Sequence, residues 1–155
     1  MNIQQIKQTY GSLIGSAALK WKIRPEVIGG IIMHESSGIA TAIGVDGTDH
    51  GLMQINNVSW PAFFVNPDDW KDPSKNINTG CAVLNSKRKD VVAECEKFEV
   101  TATEEQIERC MIAAYNCGAD HTVHCLRHGL DIDTFTANKN YSAIVLKFAS
   151  EYLST

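Results

Sequence analysis

Apolar residues recur every three or four positions through most of this chain, and the pattern breaks sharply between Gly38 and Ile55. That break constrains the fold more than any other feature. Gly44, Asp46, Gly47, Asp49 and Gly51 supply turn chemistry within eight residues, consistent with a small, irregular β-hairpin. On either side, the 3.6-residue period dictates helices that bury one face. Ile3, Ile6, Tyr10, Leu13, Ile14 and Ala17 predict a helix over 3–20. Pro25, at a first-turn position, opens a second helix through Val27, Ile28, Ile31 and Ile32, ending near Ser36, Ser37 and Gly38. Glu35 therefore falls in its last turn.

Pro61, Pro67 and Pro73 punctuate a connecting stretch. Helical pattern resumes near Ser74 and passes Ile77, Cys81, Val83 and Leu84 toward Phe98, with Asn85 and Ser86 as points of interruption. Thr103 and Gln106 fit a capping box, which opens a helix through Ile107, Cys110, Met111 and Ala114 that stops at Gly118. A last helix runs from about Tyr141 to Tyr152. The expectation is a mainly helical α+β fold with one β insertion. With 155 residues, 44% of them hydrophobic, the chain is expected to be a single domain spanning 1–155.

The formal net charge of -4 offers no basic field for nucleic acid, and no apolar run is long enough to cross a bilayer. The first residues, Met1 to Gln5, lack the charged start and apolar stretch of a secretory signal, so removal of a leader or a separate export route is expected. Five cysteines, Cys81, Cys95, Cys110, Cys117 and Cys125, allow at most two disulfides, whose pairing the spacing does not reveal. The alternative is small, buried, apolar thiols.

Glu35 is the strongest candidate for chemistry. A carboxyl at a helix C-terminus faces the negative end of the macrodipole, and Ile31, Ile32 and Met53 are apolar neighbours able to strip its water. Both effects favour the protonated acid. A solvated glutamate at a helix end is the ordinary alternative. Against it stands the segment downstream: a glycine-rich, acid-bearing turn, then Gly51-Leu52-Met53-Gln54-Ile55-Asn56. Cleavage of a glycosidic bond needs a protonated carboxyl and usually a second carboxylate, so two acids flanking a cleft fit that chemistry.

Four segments, in order, resemble the soluble lytic transglycosylase and lysozyme-like superfamily. His34-Glu35-Ser36-Ser37-Gly38 is similar to its catalytic Glu-Ser motif and Gly51-Leu52-Met53-Gln54-Ile55 to its Gly-Leu-Met-Gln-Ile motif. Asn76-Ile77 with Gly80 resembles a helix of that family, and Ala113-Ala114-Tyr115-Asn116-Cys117-Gly118 its Ala-Tyr-Asn-x-Gly motif. The resemblance implies a lysozyme-like fold, a monomer, and a peptidoglycan-cleaving enzyme working in the periplasm or outside the cell, with no cofactor or metal. Glu35 and Asp49 are implied as catalytic, with Asp46 in reserve. Ser37, Met53, Gln54, Tyr115, Asn116 and Tyr141 are implied as substrate-binding. Lytic transglycosylation and lysozyme-type hydrolysis of the bond between N-acetylmuramic acid and N-acetylglucosamine both stay open. So do chitin cleavage and a catalytically silent sugar-binding role.

Other constellations carry less. His34-Glu35 starts like a zinc-protease helix, but Gly38 stands where the second histidine belongs. Cys117, His121, His124, Cys125 and His128 have spacings of three and four, a pattern that chance produces in many helices, and no metal is expected. No cysteine sits where a thiolate would be activated. Trp60 is placed to stack on a sugar, and Trp21 is expected in the core.

Overall fold

The computed structural model describes residues 1–154. Six α-helices, a two-stranded antiparallel sheet and four short 3-10 turns make up the described residues. The chain divides into two compact units: Met1–Ala82 joined by the stretch from Val145 onward, and Val83–Ile144.

In the first unit, α1 (Ile3–Trp21) opens with a capping box: Asn2 accepts from the Gln5 amide and the Gln5 side chain accepts from the Asn2 amide. Its inward face is Ile3, Ile6, Tyr10, Ile14, Ala17 and Ala18, as the period predicts. Helix α2 (Pro25–Ser36) begins on proline and is buried almost all round from Glu26 to Ile32. Two glycines make that burial possible. A Cβ on Gly30 would stand 2.5 Å from the Val145 carbonyl oxygen, and one on Gly29 would stand 2.7 Å from the Tyr152 ring. Backbone-close packing of this kind leaves α2 a fixed rod. Glu26, the one acid on it that is buried, pairs with Arg24 at 3.3 Å.

The break in period does form a hairpin. Strand β1 (Asp49–His50) pairs with β2 (Ile55–Asn56) in the register Asp49 to Asn56 and His50 to Ile55, and Ile43 bridges to His50. A four-residue turn, 51–54, connects the strands, with Gly51 at φ 81° and Gln54 at φ 47°. The first part of α3 (Pro73–Lys97) also lies in this unit, with Ile77 and Cys81 buried. Asn85 and Ser86 do not interrupt it; α3 runs unbroken through them. Trp21, expected in the core, is half-buried, because its indole N–H donates to Asn78 Oδ1 at 3.0 Å near the surface.

In the second unit, the Thr103–Gln106 capping box opens α4 (Glu104–Cys117) as the sequence suggests. After Gly118 the chain does not leave helical structure but starts α5 (Ala119–His128), an element that the periodicity does not announce. Val91, Cys95, Cys110, Ala113, Ala114, Ala119, Val123, Cys125 and Ile132 form its core. Helix α6 (Tyr141–Leu153) starts in this unit, and Asp133 caps it: the buried carboxylate accepts from the amides of Ser142 (2.8 Å) and Ala143 (3.0 Å) and from the Ser142 hydroxyl. All five cysteines are free thiols, and four are buried.

Candidate active site

The first unit carries Glu35, Ser37, Asp49, Met53 and Gln54. Glu35 occupies the penultimate position of α2 and is half-buried. Its neighbour His34 is half-buried too, and burial holds the imidazole below its ordinary pKa, hence neutral at physiological pH. Helix α2 stops because Ser37 takes a left-handed conformation, φ 51°, with its amide donating to the Met33 carbonyl at 3.2 Å. Ser37 itself is exposed.

Ser36 joins this helix end to the hairpin turn. Its buried hydroxyl lies 3.1 Å from the Ile32 carbonyl and 2.8 Å from the Leu52 carbonyl, and it accepts from the Gly38 amide at 3.2 Å. The residue after Glu35 is therefore fastened to the residue before Met53. The motif points to Ser37 as the functional serine and leaves Ser36 without a role.

Asn76 is the second fastening. Completely buried, its side chain accepts from the Met53 amide at 2.9 Å and donates to the carbonyls of His50 (3.1 Å) and Trp70 (3.0 Å). One amide thus satisfies three backbone groups from the strand, the turn and the 3-10 segment Asp69–Lys71. Gly51 must be glycine here, since its φ is positive and a Cβ would collide with the Asn76 side chain. Met53 is fully buried, with its thioether over Gly80, where a Cβ would clash. The Asn76 and Gly80 pair noted in the sequence thus cradles the turn from one side of α3. Asn76 stands among other polar residues, Ser74, Lys75 and Asn78, so the sequence offers no signal that sets it apart.

Gln54 uses its side-chain N–H groups on the carbonyls of Gly51 (2.8 Å) and Ala42 (3.2 Å), which closes the base of the hairpin. Asp49, half-buried on β1, accepts from Asn56 Nδ2 at 2.9 Å across the strand pair. Asp46 behaves differently. It is fully exposed, it accepts from the Thr48 amide and hydroxyl, and those hydrogen bonds hold its carboxyl below the usual range. It is a turn former in geometry. Trp60 is half-buried, directly before the Pro61–Phe64 turn.

The second unit carries Tyr115, Asn116 and Tyr141. Tyr115 is half-buried near the end of α4 and Asn116 is exposed beside it, its Oδ1 accepting from the Ala137 amide at 2.8 Å. Tyr141, the first residue of α6, is only 1% exposed. Its amide donates to the Thr136 hydroxyl, and Asp133 fixes the next two residues. Asn116 and Asp133 therefore hold the same loop, 131–140, that leads into Tyr141.

Burial raises the pKa of every cysteine thiol, to about 12 for Cys81 and about 11 for Cys110 and Cys117. Such thiols are poor nucleophiles at neutral pH, which sets aside cysteine catalysis.

A mainly helical α+β chain in which a helix carries a glutamate in its last turn and is pinned to a short hairpin defines the lysozyme-like class. The family is also settled: the model of the transglycosylase SLT domain matches residues 12–128, and the chain belongs to that family. The match crosses from the first unit into the second and takes in every candidate residue except Tyr141. No curated protein matches the chain. Membership gives, at family level, lytic transglycosylase-type activity on the peptidoglycan of the cell wall. No helix among the described residues is long and apolar enough to cross a membrane.

Proposed function

We propose that the protein is a lytic transglycosylase that cuts the β-1,4 bond between N-acetylmuramic acid and N-acetylglucosamine, with residues 1–155 acting as one catalytic domain and as a monomer, outside the cytoplasm. The observation that carries this reading is the Ser36–Leu52 tether, which holds the end of α2, and with it the Glu35 backbone, at a fixed place beside the hairpin turn. A catalytic acid needs such fixity, because misplacement by an ångström is costly to a proton transfer.

Glu35 donates its proton to the bridging oxygen, the C1–O bond of the muramic sugar breaks, and positive charge develops at C1. The resulting carboxylate then removes the proton from the muramic C6 hydroxyl as that oxygen attacks C1. An anhydro ring closes and Glu35 is protonated again. No water, metal or cofactor enters the balance. Asn116 and Gln54 contact the sugar N-acetyl groups, Gln54 through the Oε1 that its hairpin bonds do not use, and Ser37 and Tyr115 line the substrate path. Met53, buried, supports the turn that carries Gln54, and Tyr141, buried, holds the start of α6 in the second unit.

Hydrolysis is the second reading, favoured by one observation: Asp49 is a half-buried carboxylate held by Asn56 on the strand that succeeds the glycine-rich turn. In that reading, Asp49 steadies the cation or orients a water, and a reducing end forms. Replacement Glu35→Gln tests the proposal for the acid in both. Wall lysis should vanish while sedimentation with purified peptidoglycan persists. Lysis at the wild-type rate would remove Glu35 from the reaction.

A further inference from the structure

Helix α5 presents histidines that the proposed chemistry does not use. His124 and His128, one turn apart, are both exposed, and their ring centres stand 4.4 Å apart with planes at 43°. We propose that this pair chelates one divalent transition-metal ion of the copper or nickel type. The pair is independent of the catalytic site, since every group around it lies in α5 or against it.

A helix places residues i and i+4 one above the other, so two imidazoles at that spacing reach the same point in solvent. The separation selects among metals. With a metal–nitrogen bond of about 2.1 Å and a ring centre about 1.1 Å behind its nitrogen, two chelating rings stand about 4.5 Å apart at a right angle and about 5.2 Å apart at the tetrahedral angle. The observed 4.4 Å lies close to the right-angle value, so rotation about the side-chain bonds can bring one nitrogen of each ring to adjacent corners of a square or octahedron. That geometry suits copper(II) and nickel(II), which also bind imidazole more tightly than the earlier first-row ions.

The structure also shows why the two cysteines of the same spacing pattern stay out. Cys125 is fully buried in the core of its unit, and burial raises its thiol pKa. The half-buried Cys117 thiol is raised to about 11 and lies against the Gly118 carbonyl. His121 is engaged elsewhere: Nδ1 bonds the Cys117 carbonyl at 2.8 Å and the ring packs on Phe135 at 5.0 Å. Phe135 also meets the edge of His124, at 5.9 Å, and so walls one side of the pair. Among the described residues no three His, Cys, Asp or Glu side chains converge on a metal position. The remaining coordination positions belong to water, which makes the ion exchangeable.

Isothermal titration of untagged protein with nickel chloride, and electron paramagnetic resonance of the copper(II)-loaded protein, test this. One ion per chain should bind, with a two-nitrogen signature for copper. His124→Gln and His128→Gln, both surface changes, should each weaken nickel binding at least tenfold, about 1.4 kcal/mol. His121→Gln should change it less than threefold. Nickel should also raise the melting temperature of wild type and of His121→Gln but not of the other two. No saturable binding up to about 1 mM nickel, wild-type affinity in either pair variant, or an equal loss in His121→Gln would each overturn the proposal.

Discussion

Asn76→Ala removes the side chain on which the hairpin turn depends. Three hydrogen bonds go at once: Met53 N–H to Oδ1, and Nδ2 to the carbonyls of His50 and Trp70. A net contribution of about 1 kcal/mol per bond gives about 3 kcal/mol, and the buried Met53 amide left without its acceptor adds about 1–2 kcal/mol. For a chain of this size, about 4 kcal/mol lowers the melting temperature by about 8–16 °C. Asn76→Asp refines the test because it preserves shape. The aspartate still accepts from Met53 but sets an oxygen against the two carbonyls, so at neutral pH it should destabilise at least as much as alanine. Acidification should restore part of the difference, since the protonated carboxyl can donate to one carbonyl. Thermal melts by circular dichroism, with hydrogen exchange resolved at Met53, measure both effects. A loss below about 1 kcal/mol in Asn76→Ala, with the Met53 amide still protected, would show that the turn does not depend on Asn76.

The same geometry predicts three further outcomes. Ser36→Ala should cost about 1–2 kcal/mol of stability and lower kcat for wall lysis about tenfold with KM little changed, because the proton donor is loosened while the sugar contacts stay; an unchanged kcat would show that the tether does not position Glu35. The half-buried His34 imidazole, with its pKa held below the ordinary 6.5, contributes nothing unfavourable above that pH. As pH falls through 6.5 the unfolded chain takes up a proton that the folded chain resists, so stability falls until the folded pKa is passed. His34→Gln should flatten this acid limb in denaturant titrations, and identical slopes for the two proteins would contradict it. Finally, a thiol-specific reagent at about pH 7 should label the native protein slowly and all five cysteines after denaturation; a fast stoichiometric phase on native protein would reveal an activated thiol.

Wherever one period governs, the helices are legible from the residues alone. The starts of α2 and α4 follow from Pro25 and the Thr103 box, which act locally, whereas the Asn2 cap of α1 is visible only in the structure. Helix α5 escapes such a reading because Gly118, at φ 92°, both ends α4 and immediately precedes a new helix, so a stop signal conceals a start. Asn85 and Ser86 look like breaks by propensity, yet burial of Val83, Leu84 and Val91 along α3 carries the helix through them. The candidate site divides the same way. Glu35 is legible because its place at the end of an apolar helix is a pattern in sequence. The parts played by Ser36, Asn76 and Asp133 are not, because each acts through hydrogen bonds to backbone that is 9 to 26 positions away, as with Leu52, His50 and Ser142.

In the proposed mechanism Glu35 acts first as acid and then as base on the muramic sugar itself. Mass spectrometry of purified peptidoglycan digested to completion with this protein distinguishes this from hydrolysis. Anhydro-muropeptides should be the main product, and Asp49→Asn should still form them; muropeptides carrying only reducing ends would assign the second step to water instead of the C6 hydroxyl.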